Sequence, residues 1–401
     1  MRYLSICSGI ESASVAWAPL GWSPVAFSEI DAFPSAVLAH HYPDVPNLGD
    51  MTRFAEWPES VFADADVVVG GCPCQAFSVA GLRGGVSDAR GNLTLVFIQL
   101  VDHADEVRRK HGKPPVIIVY ENVPGLLSSR DNAFGCLLGG LAGEDEALVA
   151  PGKRWTDAGC VLGPQRAIAY RVLDAQYFRL AQRRRRVFVV AGAGDVSPAD
   201  ILFEREGLRR DTPPSRGAEQ VAASDARSGA ASASHWDHPR FPHPTLSQSN
   251  NTGGLGGSNQ ELFSQRGAGL VPHPPIADGG RDYVAFGGNN TGGPIDVATA
   301  RNACSSPSGR MDFETETFLV EPVHLGVRRI TPEESEALQG FARNYTRIPW
   351  GRKIAADCPD GHRQKSLGNS MAVPCMAWLG RRIQQEVDRS ADHQRPAQGN
   401  H

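Results

Sequence analysis

Ala65-Asp66-Val67-Val68-Val69-Gly70-Gly71-Cys72-Pro73-Cys74-Gln75-Ala76-Phe77-Ser78 is an apolar run that stops at two glycines and then presents Pro-Cys. The valines read as a strand, and Gly70-Gly71 as its exit into a loop. Glycine lets the backbone approach a ligand closely, and Pro73 fixes the turn before the sulfur of Cys74. Such a segment is well built to display a thiol. Taken alone, it suits a buried structural cysteine pair equally well, so the rest of the chain has to decide.

Upstream and downstream, residues 2–195 alternate short apolar runs with longer amphipathic ones, a β/α pattern that predicts an α/β, doubly wound, mostly parallel sheet. Strands are expected at Tyr3–Cys7, Pro24–Ser28, Ala65–Val69, Val116–Tyr120 and Val187–Ala191. A helix is expected from Leu93 to Lys110. Leu93, Val96, Phe97, Leu100, Val101 and Val107 recur there at helical spacing, and Gly112 with the following prolines stops it.

After Gly194 the composition changes, and residues 211–323 are rich in Gly, Ser, Asn, Pro, Ala and His. Composition alone suits a disordered linker. The repeat of Asn250-Asn251-Thr252-Gly253-Gly254 as Asn289-Asn290-Thr291-Gly292-Gly293, with aromatics such as Trp236, Phe263 and Phe286, favours a small loop-rich folded unit. The expected division is therefore 1–195, a second domain at 196–325 entered through a disordered 211–235, a returning segment at 326–388, and a disordered tail at 389–401. Thr331-Pro332-Glu333-Glu334 marks a helix start: a Thr cap, proline at the first position, and acids in the first turn. Met371 to Val387 reads as a final amphipathic helix.

The 401 residues suffice for two domains. No stretch approaches the ~20 apolar residues of a membrane span, and no leader is visible, so a cytoplasmic protein is expected. Eight cysteines are too sparse for a disulfide scaffold, and their spacing does not read as a metal site. The net charge of −4 decides nothing, because a nucleic-acid enzyme needs a basic surface and not a basic average. Among 40 basic residues 35 are Arg, the better side chain for bidentate contacts to phosphate and guanine.

Ile6-Cys7-Ser8-Gly9-Ile10-Glu11-Ser12 is a Gly-bearing turn at the end of the first strand, the usual place for a nucleotide-like cofactor in such a fold. Glu29 ends the second strand, where a carboxylate can accept both ribose hydroxyls. Gln182-Arg183-Arg184-Arg185-Arg186 precedes a strand, so alternation puts Arg184 and Arg186 on one face and Arg183 and Arg185 on the other. Each feature has a plain alternative: a turn, a strand-end acid, a solvated basic run.

Together these features, with Glu121-Asn122-Val123, Asp50, Leu338-Gln339-Gly340-Phe341 and Gly368-Asn369-Ser370-Met371-Ala372-Val373-Pro374, resemble the ordered motifs of the DNA cytosine-C5 methyltransferases of bacterial and phage type. The resemblance covers residues 2–195 and 326–388. It implies the fold of S-adenosylmethionine-dependent methyltransferases, with a smaller target-recognition domain at 196–325. By that resemblance Cys74, not Cys72, is the nucleophile, and Glu121 is the acid beside cytosine N3. Arg186 holds the cytosine O2, and Arg184 supports the pocket. Cofactor binding falls to Cys7, Gly9, Ile10, Glu29, Asp50, Gly71, Pro73, Asn369 and Ser370. The family's cofactor loop commonly reads Phe-x-Gly-x-Gly-Gly; here Cys7 replaces the aromatic, and Glu11-Ser12 the later glycines. The loop Ser78 to Asn92 corresponds to one that closes over DNA.

The expected function is transfer of a methyl group from S-adenosylmethionine to C5 of a cytosine flipped out of a specific duplex DNA site, without a metal. The resemblance implies action as a monomer on double-stranded DNA, in restriction-modification beside a cognate endonuclease or in phage or prophage self-protection. Two alternatives stay open: a tRNA cytosine-5 methyltransferase, and a DNA-binding regulator with an inactive core. A nicotinamide dehydrogenase lacks support, since its full glycine fingerprint is missing.

Overall fold

The computed structural model describes residues 1–72, 93–203, 284–287, 317–321 and 326–394. Pro73, Cys74, the loop from Ser78 to Asn92, almost all of the expected recognition domain including 211–235, and residues 395–401 lie outside the described residues.

The chain begins with β1 (Arg2–Ile6), α1 (Ser12–Trp17), β2 (Ser23–Ser28), α2 (Ala32–His41), α3 (Glu59–Asp64) and β3 (Val67–Gly70). It continues through α4 (Leu93–Lys110), β4 (Ile117–Asn122), α5 (Ala133–Ala142), β5 (Ala158–Leu162), β6 (Ala167–Asp174), β7 (Arg185–Gly192) and α6 (Pro198–Leu202). The seven strands form one sheet in the order β2-β1-β3-β4-β7-β6-β5. The first four are parallel neighbours, and β7, β6 and β5 follow as an antiparallel meander. The chain moves from β1 outward to β2 and then returns to the other side of β1 with β3. A crevice therefore opens beyond the carboxyl ends of β1 and β3.

Val67-Val68-Val69 is buried on both faces, as a central parallel strand must be. Tyr3, Val67, Val69, Val119 and Phe188 pack on one side with Trp17, Val37, Met376 and Leu379. Leu4, Ile6, Val68, Ile118 and Val189 pack on the other with Phe62, Phe97, Leu100 and Leu137. The period-two alternation of the strands thus serves two helical layers, and the fold is doubly wound.

The C-terminal segment supplies α7 (Pro332–Gln339), α8 (Asp360–Asn369) and α9 (Val373–Gln394). Thr331 caps α7 in a reciprocal box with Glu334. α9 lies against α1 so closely that a Cβ on Gly380 would stand 2.4 Å from the Trp17 indole. A small antiparallel sheet joins β8 (Val284–Gly287), β9 (Thr317–Glu321) and β10 (Gly326–Arg329).

Three expected boundaries shift. β4 runs through Asn122 because Glu121 and Asn122 pair with Phe188 and Val187 of β7, so the Glu-Asn dipeptide is part of the strand and does not follow it. The first unit continues past residue 195: Ile201 and Leu202 are buried in the core, and Arg382 of α9 donates to the carbonyls of Asp200, Ile201 and Phe203. α9 extends beyond the expected break at Arg389, whose guanidinium pairs with Asp200 and Glu386. Among the described residues no helix is long and apolar enough to cross a membrane.

Candidate active site

Four parallel strands end at one edge of the sheet, and β7 begins there. Their ends build a cleft of about 670 Å³ whose walls include Cys7, Glu29, Asp50, Glu121, Arg186 and Asn369.

The turn after β1 is tightly wound, with positive φ at Cys7 (51°), Gly9 (57°) and Glu11 (65°). That winding aims the Gly9 N–H at Glu29, which accepts it at Oε2 (2.8 Å). The other Glu29 oxygen accepts the Asp31 N–H (2.7 Å). Asn47 holds the Glu29 backbone at both its N–H and its carbonyl (3.0 Å each). The carboxylate at the end of β2 is thereby fixed in the cleft wall, with Ile30 beside it 75% exposed. Asp50 also lines the cleft, while one of its oxygens accepts the Thr52 N–H (2.9 Å) and caps a short turn. Ile10 departs from the expected set: its side chain is fully buried in the core, and only its backbone belongs to the loop.

At the end of β3 a Cβ on Gly71 would meet the Glu121 carbonyl oxygen at 2.8 Å, so only glycine fits. The Asn122 amide donates to the Cys72 carbonyl (3.0 Å) and ties this strand exit to β4. The thiols of Cys72 and Cys7 both rest against the Met51 sulfur (3.8 and 3.7 Å). The chain is thus fixed on the cleft floor up to two residues before Cys74.

Glu121 is buried beside Arg186, whose Nε lies 3.2 Å from Oε1. Burial pushes its carboxyl pKa above the usual range; Arg186 and Arg184 oppose the shift without cancelling it. Arg184 and Arg186 share one face, as alternation predicts, and Arg183 and Arg185 are exposed. The Arg184 guanidinium is buried and donates to the carbonyls of Gly368 (3.1 Å) and Ser370 (2.5 Å). Burial, with Arg186 nearby, lowers its pKa to about 9. Arg184 therefore straps the end of α8 to β7. Asn369 reaches the cleft; Ser370 is buried, its hydroxyl donating to the Leu367 carbonyl (2.8 Å).

A smaller recess of about 40 Å³ adjoins the cleft, bordered among others by Glu11, Ser12, Gly71, Glu121, Asn369 and Ser370. Asn47, Asn122 and Glu11 carry weight that the sequence reading did not assign. The Asn-x-Gly turn before Asp50 and the Asn next to Glu121 were available signals for the first two.

The donor set suits a nucleoside bearing an amino acid: a carboxylate for ribose hydroxyls at Glu29, an apolar side chain beside it, and a polar recess at Asn369. Among the described residues no group of three His, Cys, Asp or Glu side chains is arranged to hold a metal ion.

The fold is that of known methyltransferases. The solved Entamoeba histolytica methyltransferase EhMeth superposes with a TM-score of 0.53 over 96% of this chain and 98% of that one, at 12% identity. Residues 1–142 and 167–385 match the family model for C-5 cytosine-specific DNA methylase, and the chain belongs to that family. It is 25% identical to the type II methyltransferase M.HpaII of Haemophilus parainfluenzae, over 96% of this chain and 89% of that protein. It is 40% identical to a protein of Escherichia phage P1 named DNA N-6-adenine-methyltransferase. That match covers 97% of this chain, which spans 62% of the phage protein's length.

Proposed function

We propose that this chain transfers a methyl group to C5 of a cytosine flipped out of a short, specific duplex DNA sequence, using S-adenosylmethionine. The observation that carries the reading is the buried Glu121–Arg186 pair on the cleft floor, beside a strand exit that delivers the Pro73-Cys74 loop.

Cytosine C5 is a weak nucleophile until C6 is attacked. The Cys74 thiolate adds to C6, and the ring electrons move toward N3 and O2. Glu121, whose pKa burial raises, gives a proton to N3. Arg186 donates to O2 and balances the carboxylate that Glu121 becomes. Bound S-adenosylmethionine supplies an electrophilic methyl group to the activated C5. A base, water in the simplest case, then takes the C5 proton, the double bond re-forms as the Cys74 thiolate leaves, and N3 returns its proton to Glu121. Glu29, Asp50 and the loop Cys7–Ile10 hold the nucleoside end of the cofactor, and Asn369 and Ser370 border its amino-acid end. The part of the 196–325 segment beyond the buried Ile201 and Leu202 reads the DNA site. The setting is restriction-modification or phage self-protection, with the enzyme acting as a monomer in the cytoplasm.

The name of the phage P1 relative favours one second reading, methylation of adenine N6. The buried acid beside a Pro-Cys loop argues against it, because an exocyclic amine needs no covalent activation of the ring. Transfer to tRNA cytosine is a further alternative.

The test expresses the chain and its Cys74→Ser variant in a methylation-deficient bacterial host. Bisulfite sequencing and nucleoside analysis then follow. Protected cytosines in one sequence context, present only with the wild-type chain, are expected. N6-methyladenine in DNA, or 5-methylcytosine confined to tRNA, would sink the proposal in favour of the corresponding alternative.

A further inference from the structure

The cofactor loop contains a residue that its backbone does not favour. Glu11 has φ 65°, ψ 65°, a left-handed conformation that a glycine adopts without strain and that is uncommon for glutamate. The family pattern puts glycine there, and this chain retains the glycine geometry while adding a carboxylate. Such strain persists only where surrounding contacts over-determine it.

The contacts are present. Glu11 is 1% exposed, and its side chain turns under the loop instead of into the cleft. Its Oε2 accepts the Ser5 hydroxyl of β1 (2.8 Å). Its Oε1 accepts both the N–H and the hydroxyl of Ser14 in α1 (3.1 and 3.2 Å). The Ser14 hydroxyl also pairs with the Tyr3 hydroxyl (2.6 Å). From the C-terminal segment, the Tyr345 hydroxyl donates to the carbonyl of Ile10 (2.9 Å), and the Tyr42 and Tyr345 hydroxyls meet at 3.3 Å. Every residue from Gly9 to Ser12 is thus held: Gly9 by Glu29 on the cleft side, and from beneath Ile10 by Tyr345, Glu11 by Ser5 and Ser14, and Ser12 through the Met371 carbonyl (2.7 Å).

We propose that Glu11 is a positioning residue for the cofactor, its carboxylate locking the turn in the conformation that lines the cleft with Cys7 and Gly9. The proposal rests on the reading of the cleft as an S-adenosylmethionine site. All the hydrogen bonds that reach Glu11 come from groups able to donate, so the ionised carboxylate makes the fuller lock. Burial nevertheless pushes its pKa up to about 7, so the lock changes state near neutrality. The ionisable groups around it are the phenols Tyr3, Tyr42 and Tyr345, all pushed further toward the neutral form by burial. His41 stacks on Tyr345 with its pKa lowered, chiefly by burial, and Glu121 borders the same recess. Glu29 contacts the far side of the loop through Gly9. Of these, Glu11 is the group whose ionisation changes the hydrogen bonds directly beneath the loop.

The test is calorimetric titration of S-adenosylmethionine into the full chain, the Glu11→Gln variant and the Glu11→Gly variant. It is run at about pH 6 and about pH 8, either side of the Glu11 midpoint, in two buffers of different ionisation enthalpy. Glutamine keeps the shape and an acceptor but not the charge, whereas glycine removes the lock and relieves the φ strain. The wild-type chain is expected to bind more tightly at the higher pH and to release protons on binding near neutrality. At the higher pH Glu11→Gln should bind about fivefold more weakly, the difference between a charged and a neutral hydrogen bond, and should match wild type at the lower pH. Its proton release should be smaller. Glu11→Gly should bind weakly at both. Superimposable affinity profiles for wild type and Glu11→Gln, or wild-type affinity in Glu11→Gly, would overturn the proposal, as would variants altered only in melting temperature. Absence of binding by the wild-type chain at either pH would overturn the cofactor reading itself, and this proposal with it.

Discussion

Glu121 is an acid placed where ionisation is expensive, and its value to the proposed chemistry lies in that expense. A carboxyl whose pKa is raised by burial stays protonated at a pH where an exposed glutamate is charged, and so it can donate. Glu121→Gln should lower methyl transfer by about 10²- to 10⁴-fold, the usual contribution of a positioned acid. Cofactor affinity should be nearly unchanged, since no cofactor contact is assigned to this side chain. Labelled-methyl incorporation and calorimetry on one preparation check both halves. Gly71 tests the same floor from the other side. Its Cβ has no room against the Glu121 carbonyl, and Glu121 Oε2 stands 3.3 Å away. Gly71→Ala should therefore displace the acid and destabilise the fold by about 1–3 kcal/mol, a typical overpacking penalty. Denaturant unfolding together with a turnover assay reads this directly; wild-type stability and turnover would show that the strand exit relaxes freely.

Among the elements, those with strong local signals were legible in the sequence. α4 runs from Leu93 to Lys110 as its apolar spacing predicts. The start of α7 at Thr331 follows from its capping chemistry, which the structure displays as a reciprocal pair of hydrogen bonds. Thr331→Ala should cost about 1 kcal/mol and lower the melting midpoint by about 2–4 °C. Restoration by Thr331→Ser in a thermal melt would attribute the loss to the cap. β5 and β6 escaped the sequence reading for a physical reason. Ala158–Leu162 alternates exposed and half-buried residues at the sheet edge, with Leu162 left exposed, and it is defined by pairing with β6 more than by its own pattern. The end of β4 escaped for a related reason, because polar Glu121 and Asn122 gain strand geometry from β7, a partner 67 residues away at the Glu121–Phe188 pair. The site followed the same rule. Glu29 and Arg186 could be anticipated from strand ends and alternation. Ile10 could not, because whether a loop residue faces the cleft or the core depends on helices packed from elsewhere.

For the molecule as a whole, buried acids make stability depend on pH. Glu11 titrates near 7 when folded against 4.5 for the free side chain, so between those values the folded chain holds a proton that the unfolded chain has lost. Stability from this group is fully present below about pH 4.5 and is lost as pH rises through about 7, by an amount of order 3 kcal/mol. Glu121 contributes with the same sign. Glu333, lowered chiefly by its hydrogen bonds and Arg363 against the opposing effect of burial, acts the other way and loses its contribution in acid. Chemical denaturation between about pH 5 and pH 8 should show a decline that Glu11→Gln reduces; an unaltered slope would mean that Glu11 ionises without strain.

The hydrogen bonds from Ser12 to Met371 and from Trp17 to Met376 each span 359 residues. During synthesis at 5–20 residues per second, the turn after β1 must wait roughly 20 to 70 seconds for the segment that braces it. A growing chain therefore carries this turn without its support, and the cleft is complete only once the ribosome has delivered the brace.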